Sequence, residues 1–189
     1  SDAAFWEVME LAKAPAIASH SSVRKFTPGF ERNMNDNMIK ALAKQGGVVM
    51  INYGSSFLTE DANQYNTKGG EAYQAYLKAE GLENTQERQE AFRAKYAKET
   101  PYPFATMDDV LNHIDHVVKI TGSVNYVGIG SDYDGVGDSL PVELKDVSTY
   151  PALIDGLLKR GYSTNDIKKM LSGNIIRVWQ AVEDYAANH

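Results

Sequence analysis

The sequence predicts an α/β fold: about three parallel strands linked by crossover helices, forming part of a (β/α)8 barrel. Three short apolar runs, at 16–19, 48–52 and 126–130, read as buried strands, because a parallel strand covered on both faces is apolar throughout rather than alternating. Between them lie helical periodicities long enough for parallel crossovers. Chemistry-bearing residues also begin where the apolar runs stop, the place where barrel enzymes mount their sites. A closed barrel of this type needs about eight strands, so three mark a part of one.

The elements follow in order. Residues 2–13 suit an amphipathic helix with Phe5, Val8, Met9 and Ala12 on one face. A chain that opens inside a helix, with no preceding strand, leads us to expect further structure upstream. The strand at 16–19 is followed by a polar loop over 21–33, and Asn35 is a suitable cap for a helix to Gln45, with Met38, Ile39 and Leu42 facing inward. Gly46-Gly47 ends that helix and Val48-Val49-Met50-Ile51-Asn52 forms the second strand. A helical insertion is expected at about 59–106 within a single partial barrel domain over 1–189; its stretch 71–98 is rich in Ala, Glu, Lys and Gln and is broken at Gly81. The helix at 107–121 presents Val110, Ile114, Val117 and Val118 to the core and stops at Gly122. The third strand, 126–130, runs into a glycine-rich loop. Ser148 or Thr149 can cap a helix to Arg160, and Ser163-Thr164-Asn165-Asp166 resembles a capping box. In the last helix, 174–186, Ile175, Ile176, Val178, Trp179 and Val182 are expected to be buried.

Composition narrows the function. A hydrophobic fraction of 43% with 23% charged residues is that of a globular chain able to build a core. A net charge of −6, with no basic cluster interleaved with aromatics, argues against nucleic acid as a partner. The chain has no cysteine, which removes thiolate catalysis, disulfides and cysteine-based zinc sites. No apolar stretch has the roughly 20 residues a membrane-spanning helix needs, and nothing here fixes a compartment.

Two strand ends carry candidate chemistry. His20 follows the first strand, and imidazole is the commonest protein ligand for zinc; the alternative is a histidine satisfied by Ser21 or Ser22. Asp132 and Asp134 follow the third strand within Gly130-Ser131-Asp132-Tyr133-Asp134-Gly135. If the extended conformation continues, both carboxylates face one side and can ligate a metal or act as a general base; the alternative is turn chemistry alone. His113 and His116, three apart on a helix, are read as exposed or supporting residues rather than a metal pair. Arg32, in the loop after His20, can hold a carboxylate bidentately. The glycine-rich segment lacks the Gly-Lys-Ser/Thr ending of a phosphate loop, and nucleotide binding is set aside.

Together these segments resemble the membrane (renal-type) dipeptidase family, peptidase family M19, among the amidohydrolase-like barrels. The resemblance rests on Ala18-Ser19-His20-Ser21-Ser22, Arg32-Asn33-Met34, Met50-Ile51-Asn52, His113-Ile114-Asp115-His116, the Gly130–Gly135 segment and Gly173-Asn174-Ile175-Ile176-Arg177-Val178, in that order and over nearly the whole chain. It implies the C-terminal part of a (β/α)8 barrel with a two-zinc centre that hydrolyses dipeptides, including those with a C-terminal D-residue. It also implies His20 as a zinc ligand, Asp132 as general base and acid beside the attacking water, and Arg32 as the anchor of the substrate carboxylate. Asn52, His113 and Asp134 would be supporting residues. The family's other metal ligands lie upstream of the segments seen here, so the expected partners are a dipeptide and the N-terminal part of the same barrel, with a homodimer compatible. The competing readings are a non-catalytic fragment serving as a structural or binding module, and a different metal-dependent barrel hydrolase acting on a lactone or cyclic amide.

Overall fold

The computed structural model describes residues 1–189. In chain order its elements are α1 (Asp2–Leu11), β1 (Ile17–Ala18), α2 (Asp36–Lys44), β2 (Val48–Ile51), α3 (Ser55–Leu58), α4 (Glu60–Glu80), α5 (Gln86–Glu99), α6 (Met107–Thr121), β3 (Val127–Ile129), α7 (Tyr150–Lys159), α8 (Thr164–Lys168) and α9 (Asn174–Ala187). The three strands form one parallel sheet in the order β1-β2-β3, as the apolar runs and their crossovers predict, but β1 is not the buried strand expected: it is two residues long, at one edge, with Ile17 exposed.

Local chemistry explains the helix limits. Asn35 Oδ1 accepts from the Met38 N–H at 3.0 Å and starts α2. Thr106 and Asp109 form a reciprocal capping box at α6, and Ser163 and Asp166 form another at α8. The insertion folds as α4 and α5, separated just past Gly81, whose left-handed backbone ends α4. Thr149 does not cap α7 with its side chain; its hydroxyl instead donates to the Asp146 carbonyl at 2.5 Å.

β2 is central and wholly buried. Val49 and Ile51 enter the main core with Ile114 and Val117 of α6, Ile39 of α2 and Leu153 of α7. Val48 and Met50, on the opposite face, meet Val178 of α9, which is the alternation a strand imposes. α9 lies across the entry end of the sheet, where Arg177 donates to the carbonyls of Gly46 and Asn125 at 2.6 and 2.8 Å. Asn174, also buried, donates to the carbonyls of Val124 and Val127. The candidate residues at the strand exits are therefore at the other end.

The last helix differs from expectation. Only Asn174 and Val178 of α9 are buried, while Ile176, Trp179 and Val182 are 62%, 63% and 41% exposed. The helix touches the sheet through a single narrow stripe of Asn174, Val178 and the half-buried Ile175, and Ile176, Trp179 and Val182 lie outside it. On α1 the inward face is Phe5 and Met9, whereas Val8, expected inside, and Leu11 are exposed.

Candidate functional site

Parallel strands bring three chain exits to one edge of the sheet, and backbone hydrogen bonds hold them together. The Ser21 N–H donates to the Met50 carbonyl (3.0 Å), the Gly130 N–H to Ile51 (3.0 Å) and the Tyr53 N–H to Ser131 (3.1 Å). Gly130 has a steric role here. A β-carbon at that position would overlap the Ser19 carbonyl and come within 2.8 Å of both Met50 Cβ and its carbonyl oxygen. The first and third strand exits meet across β2 because this residue has no side chain.

Asp132 is the one non-glycine residue in the left-handed region, at φ 62°. That conformation costs an ordinary L-residue about 1–2 kcal/mol, less for Asp, and such outliers gather at functional positions. Its carboxylate is held in place: Asn52 Nδ2–H donates to Asp132 Oδ2 at 2.8 Å, while Asn52 Oδ1 accepts from the Gly54 N–H at 2.7 Å. Asn52 is completely buried, so its amide is fixed in one orientation. The Gly135 N–H donates to the Asp132 carbonyl at 3.0 Å and closes a turn over 132–135.

That turn decides between the two readings of Asp134, in favour of turn chemistry. The extended conformation does not continue past Ser131, so the two carboxylates do not share a side; Asp134 is exposed and makes no protein hydrogen bond. Beneath the turn, Tyr53 and Tyr133 meet edge to face at 5.8 Å. Burial, reinforced by the neighbouring phenols of Tyr150 and Tyr133, pushes the Tyr53 hydroxyl well above its ordinary value. Burial, with Tyr150 beside it, pushes Tyr133 up to about 12. The bed is neutral and aromatic near neutral pH.

His20 is exposed at the exit of β1, with Ser19 Oγ 2.8 Å from Nδ1 and no protein partner at Nε2. The arrangement leaves one ring nitrogen free to ligate. Arg32 is brought to the same place: Ser21 Oγ–H donates to the Arg32 carbonyl at 3.0 Å. His20 and Arg32 both border a cavity of about 380 Å³ between α1 and the β1 exit. A larger cavity of about 570 Å³ lies between α4 and α5, walled by Tyr65, Tyr73, Phe92 and Tyr96, and touches none of the candidate residues.

His113 and His116 are not exposed. His113 is wholly buried and accepts from the Val23 N–H at Nδ1 (2.9 Å), which leaves Nε2–H to donate to the Leu58 carbonyl at 2.9 Å. Burial drives its pKa down to about 4, so it is a neutral strut between α6, α3 and the loop after β1. His116 Nε2 pairs with Asp36 Oδ1 at 2.8 Å and ties α6 to α2. Asn33, which the sequence reading did not single out, is also fully buried in the Arg32 loop. Its signal was its place beside Arg32 in the Arg-Asn-Met segment.

The fit to a metal is incomplete. No group of three or more His, Asp or Glu side chains in this chain is close enough together to hold a metal ion. A catalytic zinc normally takes three protein ligands, and His20 offers one.

An uncharacterized dipeptidase of Schizosaccharomyces pombe is 32% identical over 94% of this chain, and the match covers 33% of that protein. The probable dipeptidase PvdM of Pseudomonas aeruginosa superposes with a TM-score of 0.75 at 25% identity, over 96% of this chain and 48% of that one. A metallopeptidase of Rhodobacter sphaeroides, whose structure holds a phosphinate mimic of the dipeptide L-Ala-D-Ala, shares the fold, with a TM-score of 0.66 at 24% identity over 94% of this chain and 39% of that one. The chain thus spans about a third of the curated relatives it matches and less than half of the solved barrels. No helix is long and apolar enough to cross a membrane. A family model, described as membrane dipeptidase (peptidase family M19), matches residues 1–189 from end to end, and with that match and the shared fold the chain belongs to that metallopeptidase family.

Proposed function

We propose that this chain is the C-terminal side of a zinc-dependent dipeptidase, and that Asp132 and Arg32 carry its share of the chemistry. The observation that carries the reading is Asp132: a carboxylate at a strand exit, in a costly backbone conformation, held by a buried amide. Support comes from the family and from the placing of His20 and Arg32 at the same end of the sheet.

In this reading Arg32 pairs with the free carboxylate of the substrate, which restricts the enzyme to short peptides. Asp132 takes a proton from the attacking water and passes it to the leaving amine nitrogen, so one residue is base and then acid. Asn52 keeps one carboxylate oxygen occupied and leaves the other free to take the proton. Zinc, two ions in the complete site, belongs to the reading; His20 would be one ligand and the rest would come from the upstream part of the barrel. This chain's own residues supply proton transfer and substrate holding.

The test is Asp132→Asn in the complete enzyme. Dipeptide turnover should fall by about 10²–10⁴-fold, with bound zinc, measured by elemental analysis, unchanged. Near-normal turnover in that variant would sink the assignment. Faster hydrolysis of lactones or cyclic amides than of dipeptides would move the enzyme to another class.

A further inference from the structure

The loop from β1 to α2 carries both His20 and Arg32, and one buried side chain organises it. Asn33 is 0% exposed, an uncommon place for an amide. Its Oδ1 accepts from the Ser22 N–H at 2.9 Å, and its Nδ2 donates to Thr27 Oγ1 at 2.7 Å and to the Phe57 carbonyl at 2.8 Å. These three bonds reach three segments: the exit of β1, the middle of the loop, and α3.

The neighbours of Asn33 are pinned as well. Ser21 Oγ–H holds the Arg32 carbonyl, the Met34 N–H donates to the Ser22 carbonyl at 2.9 Å, and Val23 and Met34 form a parallel bridge. Ser22 Oγ–H then donates to the Asn52 carbonyl at 3.1 Å, which joins this frame to the residue holding Asp132. The Arg32 side chain, by contrast, is exposed and makes no hydrogen bond or ion pair within the chain. Its guanidinium lies 5.5 Å from the Phe57 ring, and Phe57 meets Phe30 edge to face at 5.2 Å.

We infer that Asn33 is a positioning residue for Arg32: one amide fixes both the main chain that carries the guanidinium and the helical turn that carries the ring beside it. The inference rests on the reading of Arg32 as the anchor of a substrate carboxylate. An arginine side chain is flexible by itself, and bidentate recognition needs its planar fork correctly aimed. An aromatic face restrains the plane of the guanidinium, and Asn33 sets the distance between that face and the root of the side chain.

The test compares a dipeptide with the same dipeptide carrying a C-terminal carboxamide, in the complete enzyme. Arg32→Ala should lower the preference for the carboxylate substrate by about a hundredfold. Asn33→Ala should lower it by about tenfold through KM for the carboxylate substrate, with a clearly smaller loss on the carboxamide, and should add little in the Arg32→Ala background. Phe57→Leu keeps the carbonyl that Asn33 holds and should lower the preference a few-fold. Equal loss on both substrates in Asn33→Ala, or a loss that persists undiminished without Arg32, overturns the inference. If Asn33→Ala does not fold, Thr27→Val and Phe57→Leu decide, and an unchanged preference in both overturns it. If Arg32→Ala itself leaves the preference unchanged, the reading of Arg32 fails instead.

Discussion

Acidification tests the part played by His113. Its imidazole is fully buried and its pKa lies at about 4, against 6.5 for the free side chain. Between those values the unfolded chain takes up a proton here and the folded chain does not. The stability contributed is therefore complete above pH 6.5, drains away as the pH falls, and levels off below about pH 4. The slope in that window is about 1.4 kcal/mol per pH unit, so from pH 8 to pH 5 this one side chain costs about 2 kcal/mol.

His113→Gln isolates the effect. Glutamine can still donate to the Leu58 carbonyl but does not titrate, and it leaves the Val23 N–H without its acceptor. At pH 8 the variant should be less stable by about 1–3 kcal/mol. By pH 5 the gap should have narrowed by about 2 kcal/mol, or reversed, because only the wild type pays for keeping an imidazole neutral. Urea unfolding of the complete polypeptide at pH 8, 6.5 and 5, at constant ionic strength, measures this directly. Curves that stay parallel across the range would refute the argument.

Gly130→Ala should lower stability by about 1–3 kcal/mol, read from the denaturant midpoint, because the added methyl meets the backbone of Ser19 and Met50 rather than a side chain that can move. Asn52→Leu keeps the volume but removes the amide that holds Asp132, and kcat on a dipeptide should fall about tenfold or more while thermal unfolding remains cooperative. Unchanged turnover in that variant would separate Asn52 from the reaction.

Much of this architecture can be read from the chain because the signals are local. Val48-Val49-Met50-Ile51 is apolar throughout and becomes the buried central strand; Thr106 and Ser163 become caps through residues three positions away; Gly122 ends α6 with the positive φ that only glycine takes easily. The site was legible in part, as polar residues at strand exits. What the spacing could not give is the contact set by register between distant segments. Asn52 and Asp132 are 80 residues apart, and Val23 and His113 are 90 apart. The choice between the two readings of Asp134 has the same origin. Alternation along a strand presumes that the strand continues, and a single positive φ at Asp132 reverses the direction of everything after it.

In the proposed reading, the exposed apolar surface and the incomplete ligand set have one cause. β1 and β3 each pair on one side only, with β2 between them. Parallel sheets occur with both faces covered, and an open edge invites another strand. Trp6, Val8 and Leu11 on α1 and Ile176, Trp179 and Val182 on α9 stay exposed. The same chain offers one free imidazole where a zinc takes three ligands. In the proposed reading, strands that paired with the outer edges of β1 and β3 would bury apolar surface and, because their exits would fall at the same end of the sheet, would bring the remaining ligands to His20 and Asp132. Completing the barrel and completing the metal centre are then the same event, so metal loading and resistance to unfolding should rise together when the upstream part of the barrel is supplied.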